Sequence, residues 1–224
     1  PICALTAALD EIWHAEEDFS FFFADDSNTQ FRSSGHEPVI FAGLFTNPDY
    51  RDADAMLAED EQTRRTDLVV ELAGLVNDNR DRSTIREIYN LIQARVRGDR
   101  PHGFSIFEST AHGILSTGIA TGCTDYALAF ATLARAKGIP AVIVDSAQVE
   151  WIERGARLNQ VSGHFFVEVR LAGEWFLVDS TSGEMFIFYD RENWVLPGGY
   201  IAFSKALSVI DTGATEETHN TLQR

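Results

Sequence analysis

Three residue types needed for thiol chemistry occur in a workable order along this chain. Cys123 follows Gly113, Gly118 and Gly122 in a glycine-rich stretch and opens a segment where Ala127, Phe130, Ala131 and Ala134 recur at helical spacing. The unpaired N–H groups and positive dipole end of a helix start stabilise a thiolate, the nucleophilic form of cysteine. A buried structural cysteine is the competing reading of that position. His164 directly follows Gly163 and starts a segment of period two, on the face opposite Phe165, Val167 and Val169. A sheet needs a covering layer, and the Cys123 helix is expected to cover the His164 face. Asp179 closes the next segment behind Leu177 and Val178. A carboxylate there is partly desolvated and needs a partner. Cysteine, histidine and aspartate in this order suit a nucleophile, its base and the group that orients the base.

Strand parity sets a geometric condition on that trio. Residues 164–171 and 175–179 read as two strands of a hairpin around Ala172-Gly173-Glu174. His164 and Asp179 share a face only if opposed position numbers add to an odd constant. A sum of 345 sets Asp179 opposite Phe166 and diagonal to His164, roughly 7–8 Å apart and within side-chain reach. A sum of 347 sets it opposite Glu168, too far along, and an even sum separates the two faces. The turn residues do not choose among these registers.

The elements that must carry the trio read as follows. Residues 4–17 have helical spacing in Leu5, Ala8, Leu9, Ile12 and Trp13, and the phenylalanines between 19 and 31 read as core or as a packing flap. Val39-Ile40-Phe41 is a strand or a docking loop. Leu68, Leu72, Leu75 and Val76 form one apolar helix face. Ser83 is the expected N-cap of a second helix with Ile85, Ile88, Tyr89, Ile92 and Val96, stopped by Gly98 and Pro101. A short polar link makes the two a hairpin. Residues 98–122 read as loop with room for a helical turn near Ser109. Gly138 and Pro140 end the Cys123 helix. Strands follow at 141–144, 164–171, 175–178, 185–189 and 201–203. Helices first and antiparallel strands after indicate an α+β domain over residues 1–210. Residues 1–97 form its aromatic segment and helical hairpin, and 98–210 its catalytic core. A polar tail occupies 211–224.

Taken with their surroundings, these residues carry a family resemblance. Thr121-Gly122-Cys123-Thr124-Asp125-Tyr126-Ala127, followed by Leu133 to Ala141, resembles the first motif of the transglutaminase-like superfamily. Gly163 to Val169, then Trp175 and Val178-Asp179-Ser180-Thr181, resembles its second and third. The resemblance spans about residues 113–181. It implies a papain-like α+β fold, a nucleophile helix packed on an antiparallel sheet, and a Cys-His-Asp triad. By position Cys123 is the nucleophile, His164 the general base and acid, and Asp179 the group that fixes the imidazole. Phe165 and Phe166 stand where the family often has Ala and Trp, and Ser180 where it usually has proline. The Cys123 backbone N–H is the one oxyanion donor the motif names; His112, Ser116 and Thr117 are the other donors nearby in sequence.

Composition bounds the partners. Eighteen Lys and Arg against 34 Asp and Glu leave a net charge of −16, which repels phosphate backbones and anionic membrane surfaces. No spanning helix is expected, because no window approaches 18 apolar residues without charge. The first ten residues lack a basic n-region, and two cysteines suit a reducing compartment, so a cytoplasmic location is expected. No HExxH, phosphate loop or G-x-S-x-G is present, and His14, His36, His102, His112 and His219 lack ligand spacing; no metal or other cofactor is expected. Residues 77–88 are no calcium loop, with Arg82 at position six and Ile88 at position twelve. The expected function is therefore attack on an amide of a peptide or protein through a thioester acyl-enzyme. Hydrolysis is favoured and amine transfer is the alternative. A non-catalytic binding module on this fold should have lost a triad member, and none is lost.

Overall fold

The computed structural model describes residues 47–99, 107–150, 163–192 and 194–214, and the backbone alone of 30–31 and 39–40. The chain divides into two units, residues 1–43 and 44–224. In the first, β1 (Gln30–Phe31) pairs antiparallel with β2 (Val39–Ile40), Gln30 opposite Ile40. The helix expected at 4–17 and the phenylalanines at 19–23 lie outside the described residues.

The second unit opens with helices. In α1 (Asp67–Ala73), Thr66 caps the start and accepts the Val69 N–H. The buried face is Val69, Leu72, Ala73 and, just beyond, Val76, while Leu75 is 69% exposed. Of the expected Leu68/Leu72/Leu75/Val76 face, Leu68, Leu72 and Val76 pack on the core and Leu75 alone departs, because the helix ends before it and helical spacing no longer applies there. In α2 (Arg82–Arg95), the N-cap is Asp81 rather than Ser83. Its carboxylate accepts the N–H groups of Ser83 and Thr84 at 2.8 and 3.2 Å, and the Asp81 N–H returns to the Thr84 hydroxyl. This is a capping box with threonine in the usual glutamate place. Strand β3 (Arg97–Gly98) runs parallel to β4 (Ile119–Ala120), and between them lies α3 (Ala111–Thr117). The structure thus extends to two turns the short helical turn that the sequence allows near Ser109 within the 98–122 loop. Thr110 caps it, and Gly118, at φ +69°, ends it.

The nucleophile-bearing helix is α4 (Cys123–Ala136). Its alanines do more than form one face: Thr124, Asp125 and every residue from Ala127 to Arg135 are buried. Small side chains allow close neighbours on all sides, with α1, α2 and α3 on one flank and the sheet on the other. Gly138, at φ +71°, follows the last turn, and the Ile139 N–H bonds back to the Ala134 carbonyl at 3.0 Å, a Schellman closure. Pro140 then releases the chain into the sheet.

That sheet comprises β5 (Ala141–Gln148), β6 (Gly163–Leu171), β7 (Glu174–Val178), β8 (Met185–Phe186), β9 (Val195–Leu196) and β10 (Tyr200–Ala206). The spatial order is β8-β7-β6-β5-β10-β9, antiparallel throughout. Phe165, Val167, Val169, Leu171, Phe176 and Val178 pack with α4 in one core cluster. Burying a large apolar side chain contributes about 1.5–3 kcal/mol, so this all-apolar row takes the alanine-rich helix. The expectation that α4 covers the His164 face is therefore corrected. That face meets a smaller cluster of Val144, Phe166, Leu177, Leu196 and Ala202, flanked by Tyr189, Trp194 and Tyr200.

A fully buried ion pair lies on the same side. Glu168 Oε1 is 2.9 Å from Lys205 Nζ. The Tyr189 hydroxyl donates to Oε1 at 2.5 Å, and the Tyr50 hydroxyl donates to Oε2. Lys205 also donates to the Arg191 carbonyl at 2.5 Å. These bonds fasten Tyr189, Arg191 and Tyr50 to the sheet. Burial and the adjacent Glu168 charge push both phenols up in pKa, so they remain donors.

Candidate active site

Chain direction decides where the site forms. β5 runs back along α4 from its C-terminal end, and β6 reverses again, which returns Gly163 and His164 to the level of Cys123. His164 thus meets the N-terminus of α4 at the end of the sheet rather than across the layer. Its ring hydrogen-bonds the side chains of both Cys123 and Asp179. Nε2 lies 3.0 Å from Asp179 Oδ2, which leaves Nδ1 for the sulfur.

The hairpin register explains how Asp179 arrives. Val167 is opposite Val178 and Leu171 opposite Glu174, so opposed numbers add to 345. Ala172 (φ +50°) and Gly173 (φ +94°) are both left-handed, as in a two-residue type I′ turn, and this fixes the register. Asp179 then follows the last paired residue of β7, on the face that carries His164. Its other oxygen, Oδ1, accepts the N–H groups of Thr181 and Ser182 at 2.8 and 3.1 Å. The carboxylate is held at both ends.

The histidine is also held. Its ring sits edge-on to Phe166, centroids 4.7 Å apart, and tilted against Tyr200 at 5.6 Å. The Ser146 hydroxyl donates to the His164 carbonyl at 2.7 Å. Burial alone would push the imidazole down in pKa. The Asp179 and Cys123 hydrogen bonds outweigh it and raise the group from 6.5 to about 9. Burial likewise works against the Asp179 charge, but the hydrogen bond and charge of His164 hold it down at about 2. The pair is an imidazolium–carboxylate at neutral pH.

Cys123 is half-buried and is the first residue of α4, where its N–H has no intrahelical acceptor. Asp125 organises the approach to it. The Asp125 Oδ2 accepts the N–H and hydroxyl of Thr121 at 2.7 and 2.9 Å, while Oδ1 is buried without a partner among the described residues. Burial raises its pKa against the hydrogen bonds of Thr121 and Ser109. The sequence signal was there: an aspartate three residues after the N-cap. The other polar groups near Cys123 in sequence are engaged elsewhere. His112 Nδ1 pairs with the Thr66 hydroxyl at 3.0 Å, and the Ser116 and Thr117 hydroxyls donate to the Gly113 carbonyl.

Among the described residues, no group of three His, Cys, Asp or Glu side chains could hold a metal, and no helix is long and apolar enough to cross a membrane. An open cleft of about 440 Å³ lies beside the far end of α4, lined by Arg65, Val70, Gly74, Asp78 and Lys137. No cysteine, serine or histidine lines it.

A helix with a cysteine at its N-terminus, packed on an antiparallel sheet that presents histidine and aspartate at the same end, defines a papain-like α+β core. The transglutaminase-like superfamily model matches residues 68–180, half of the chain, and the chain belongs to that superfamily. The crystal structure of a "putative cysteine protease" from Cytophaga hutchinsonii superposes with a TM-score of 0.54 at 19% identity. The alignment covers 75% of this chain and 52% of that one, so this chain spans about half the length of that relative. A crystal structure of a TGase aligns over 60% of this chain and 35% of its own, at 18% identity and a TM-score of 0.38. No curated protein matches.

Proposed function

We propose that this chain is a thiol enzyme that opens amide bonds of peptides or proteins through a thioester on Cys123. The observation that carries this reading is a single imidazole hydrogen-bonded to both a half-buried cysteine and a clamped carboxylate. The imidazole of His164 and the start of a helix stand beside the sulfur, the setting of a nucleophile with its base. The thiolate attacks the carbonyl carbon, a C–S bond forms, and the carbonyl electron pair moves to oxygen. The Cys123 N–H donates to that oxyanion. Collapse breaks the C–N bond, and the His164 Nδ1 proton goes to the departing amine. The imidazole, now neutral, takes a proton from water as it attacks the thioester, which frees the acid and restores the thiolate. Asp179 holds the ring at Nε2 throughout.

Water and an amine compete for the same thioester, and hydrolysis is the course we favour. Incubation with a glutamine-containing peptide and a labelled primary amine separates the two. Release of free acid and ammonia without label in the peptide supports hydrolysis. Label incorporated into the peptide makes the protein an acyltransferase. Neither product from any peptide offered, with C123A indistinguishable from wild type, would sink the catalytic reading.

A further inference from the structure

We propose that Tyr89, on α2 of the helical hairpin, is a positioning residue for Asp179 that braces the 179–184 turn from outside the sheet. The proposal rests on the thiol-enzyme reading above. β7 and β8 stop pairing at Val178 and Met185, so the turn between them has no further ladder to hold it. Within the turn, the Gly183 N–H bonds the Asp179 carbonyl at 2.8 Å, and the Asp179 N–H bonds the Glu184 carbonyl at 2.9 Å. These bonds and the Oδ1 clamp fix the turn's internal shape. They do not fix where the whole turn sits relative to His164.

Tyr89 supplies that contact. Its hydroxyl donates to the Ser182 carbonyl at 3.1 Å. Its ring lies against Gly183 so closely that a Cβ there would come within 2.6, 2.7 and 2.9 Å of Cζ, Cε1 and Cε2. Gly183 also has φ +81°, so a side chain is excluded by conformation as well as by space. The tyrosine itself is anchored, because its neighbours Ile85, Ile88 and Ile92 are buried in the core that holds α4. α2 therefore acts as a rigid beam from the core to the turn that carries Asp179. A displacement of about 1 Å in a catalytic group can cost about 10²-fold in rate, so such a brace is chemically consequential.

The test is an NMR titration of His164 in the ¹³C-histidine-labelled full chain, beside the rate of Cys123 alkylation by iodoacetamide at pH 6.5. Wild type, Y89F, Y89A and G183A are compared. We expect the His164 midpoint of Y89A to fall by about one unit, a tenfold change in proton affinity, with a several-fold slower alkylation. Y89F keeps the ring on Gly183 and should shift less. G183A, which drives a methyl into the ring, should shift in the same direction as Y89A. A purely structural Tyr89 would lower the melting temperature and leave the His164 midpoint where it is, and that result overturns the proposal. Should Y89A fail to fold, Y89F and G183A decide, and unmoved midpoints in both overturn it. A wild-type midpoint near 6.5 overturns the triad reading and the brace together. A wild-type midpoint near 9 that no variant moves overturns the brace alone.

Discussion

His164 Nε2 and Asp179 Oδ2 stand 3.0 Å apart, although neither residue is paired in the β6–β7 ladder. They occupy diagonal positions: Asp179 lies just past the end of β7, while His164 stays in β6, paired with Ser146 of β5. The aromatic contacts of the histidine and the Oδ1 clamp of the aspartate then fix the two side chains. The sheet places the histidine, and the turn after β7 places the aspartate.

Replacing His164 with alanine should abolish turnover and leave the fold intact. The ring's edge contact with Phe166 is worth about 0.5–1.5 kcal/mol, small beside a total stability of about 5–15 kcal/mol. Circular dichroism and product release measured on the same sample check both parts. In wild type, kcat/KM should fall on the alkaline side near pH 9, where the imidazolium loses its proton. An unfolded H164A would make His164 a core residue and remove the support for its catalytic role.

Asp179→Asn keeps the shape but loses the charge that stabilises the imidazolium. In a serine triad the corresponding change costs about 10⁴ in rate. A cysteine sulfur is intrinsically more nucleophilic than a serine hydroxyl and depends less on its base, so a smaller loss is expected here. Stability supplies a second readout. The His164 pKa is raised on folding, so its contribution is complete below about 6.5 and is lost as pH rises through about 9. The Asp179 pKa is depressed, so its contribution is complete above about 3.8 and is lost as pH falls through about 2. The stability gap between wild type and D179N should be widest between about pH 4 and 6.5. Urea unfolding at pH 5, 7 and 9.5 measures it, and a constant gap contradicts the ion pair.

Some of this was legible in the sequence and some was not. The helix start at Cys123, its Gly138 ending and the alternation of β6 follow from local spacing, and the structure has them. The side of the sheet that α4 covers is set by the longer apolar row of Phe165, Val167, Val169 and Leu171, which a single histidine on the other face does not override. The register was undetermined because Ala172 is a poor announcer of a left-handed turn; an Asn-Gly pair would have marked it. The second turn of α3 is hidden in the sequence by Gly113 and the polar residues around it. Tyr89 acts through Ser182 and Gly183, which are more than ninety residues away in sequence, and no periodicity reveals such a contact.

The buried Glu168–Lys205 pair predicts a large stability effect on the His164 side of the sheet. Lys205→Met strands the Glu168 carboxylate, fully buried, with only its tyrosine donors. Removing one partner of a buried pair costs about 3–5 kcal/mol. Urea unfolding of K205M should show a loss of that order. A loss below about 1 kcal/mol would mean that water reaches the carboxylate.

The most direct test of the account is the reactivity of Cys123 itself. Iodoacetamide at pH 6–7, followed by peptide mass spectrometry, reports Cys3 and Cys123 in one sample. An unperturbed thiol has a pKa of about 8.5 and reacts slowly in that range. The account predicts that Cys123 is alkylated much faster than Cys3 and that H164A removes the difference. Equal labelling of Cys3 and Cys123 in the wild-type protein would contradict it.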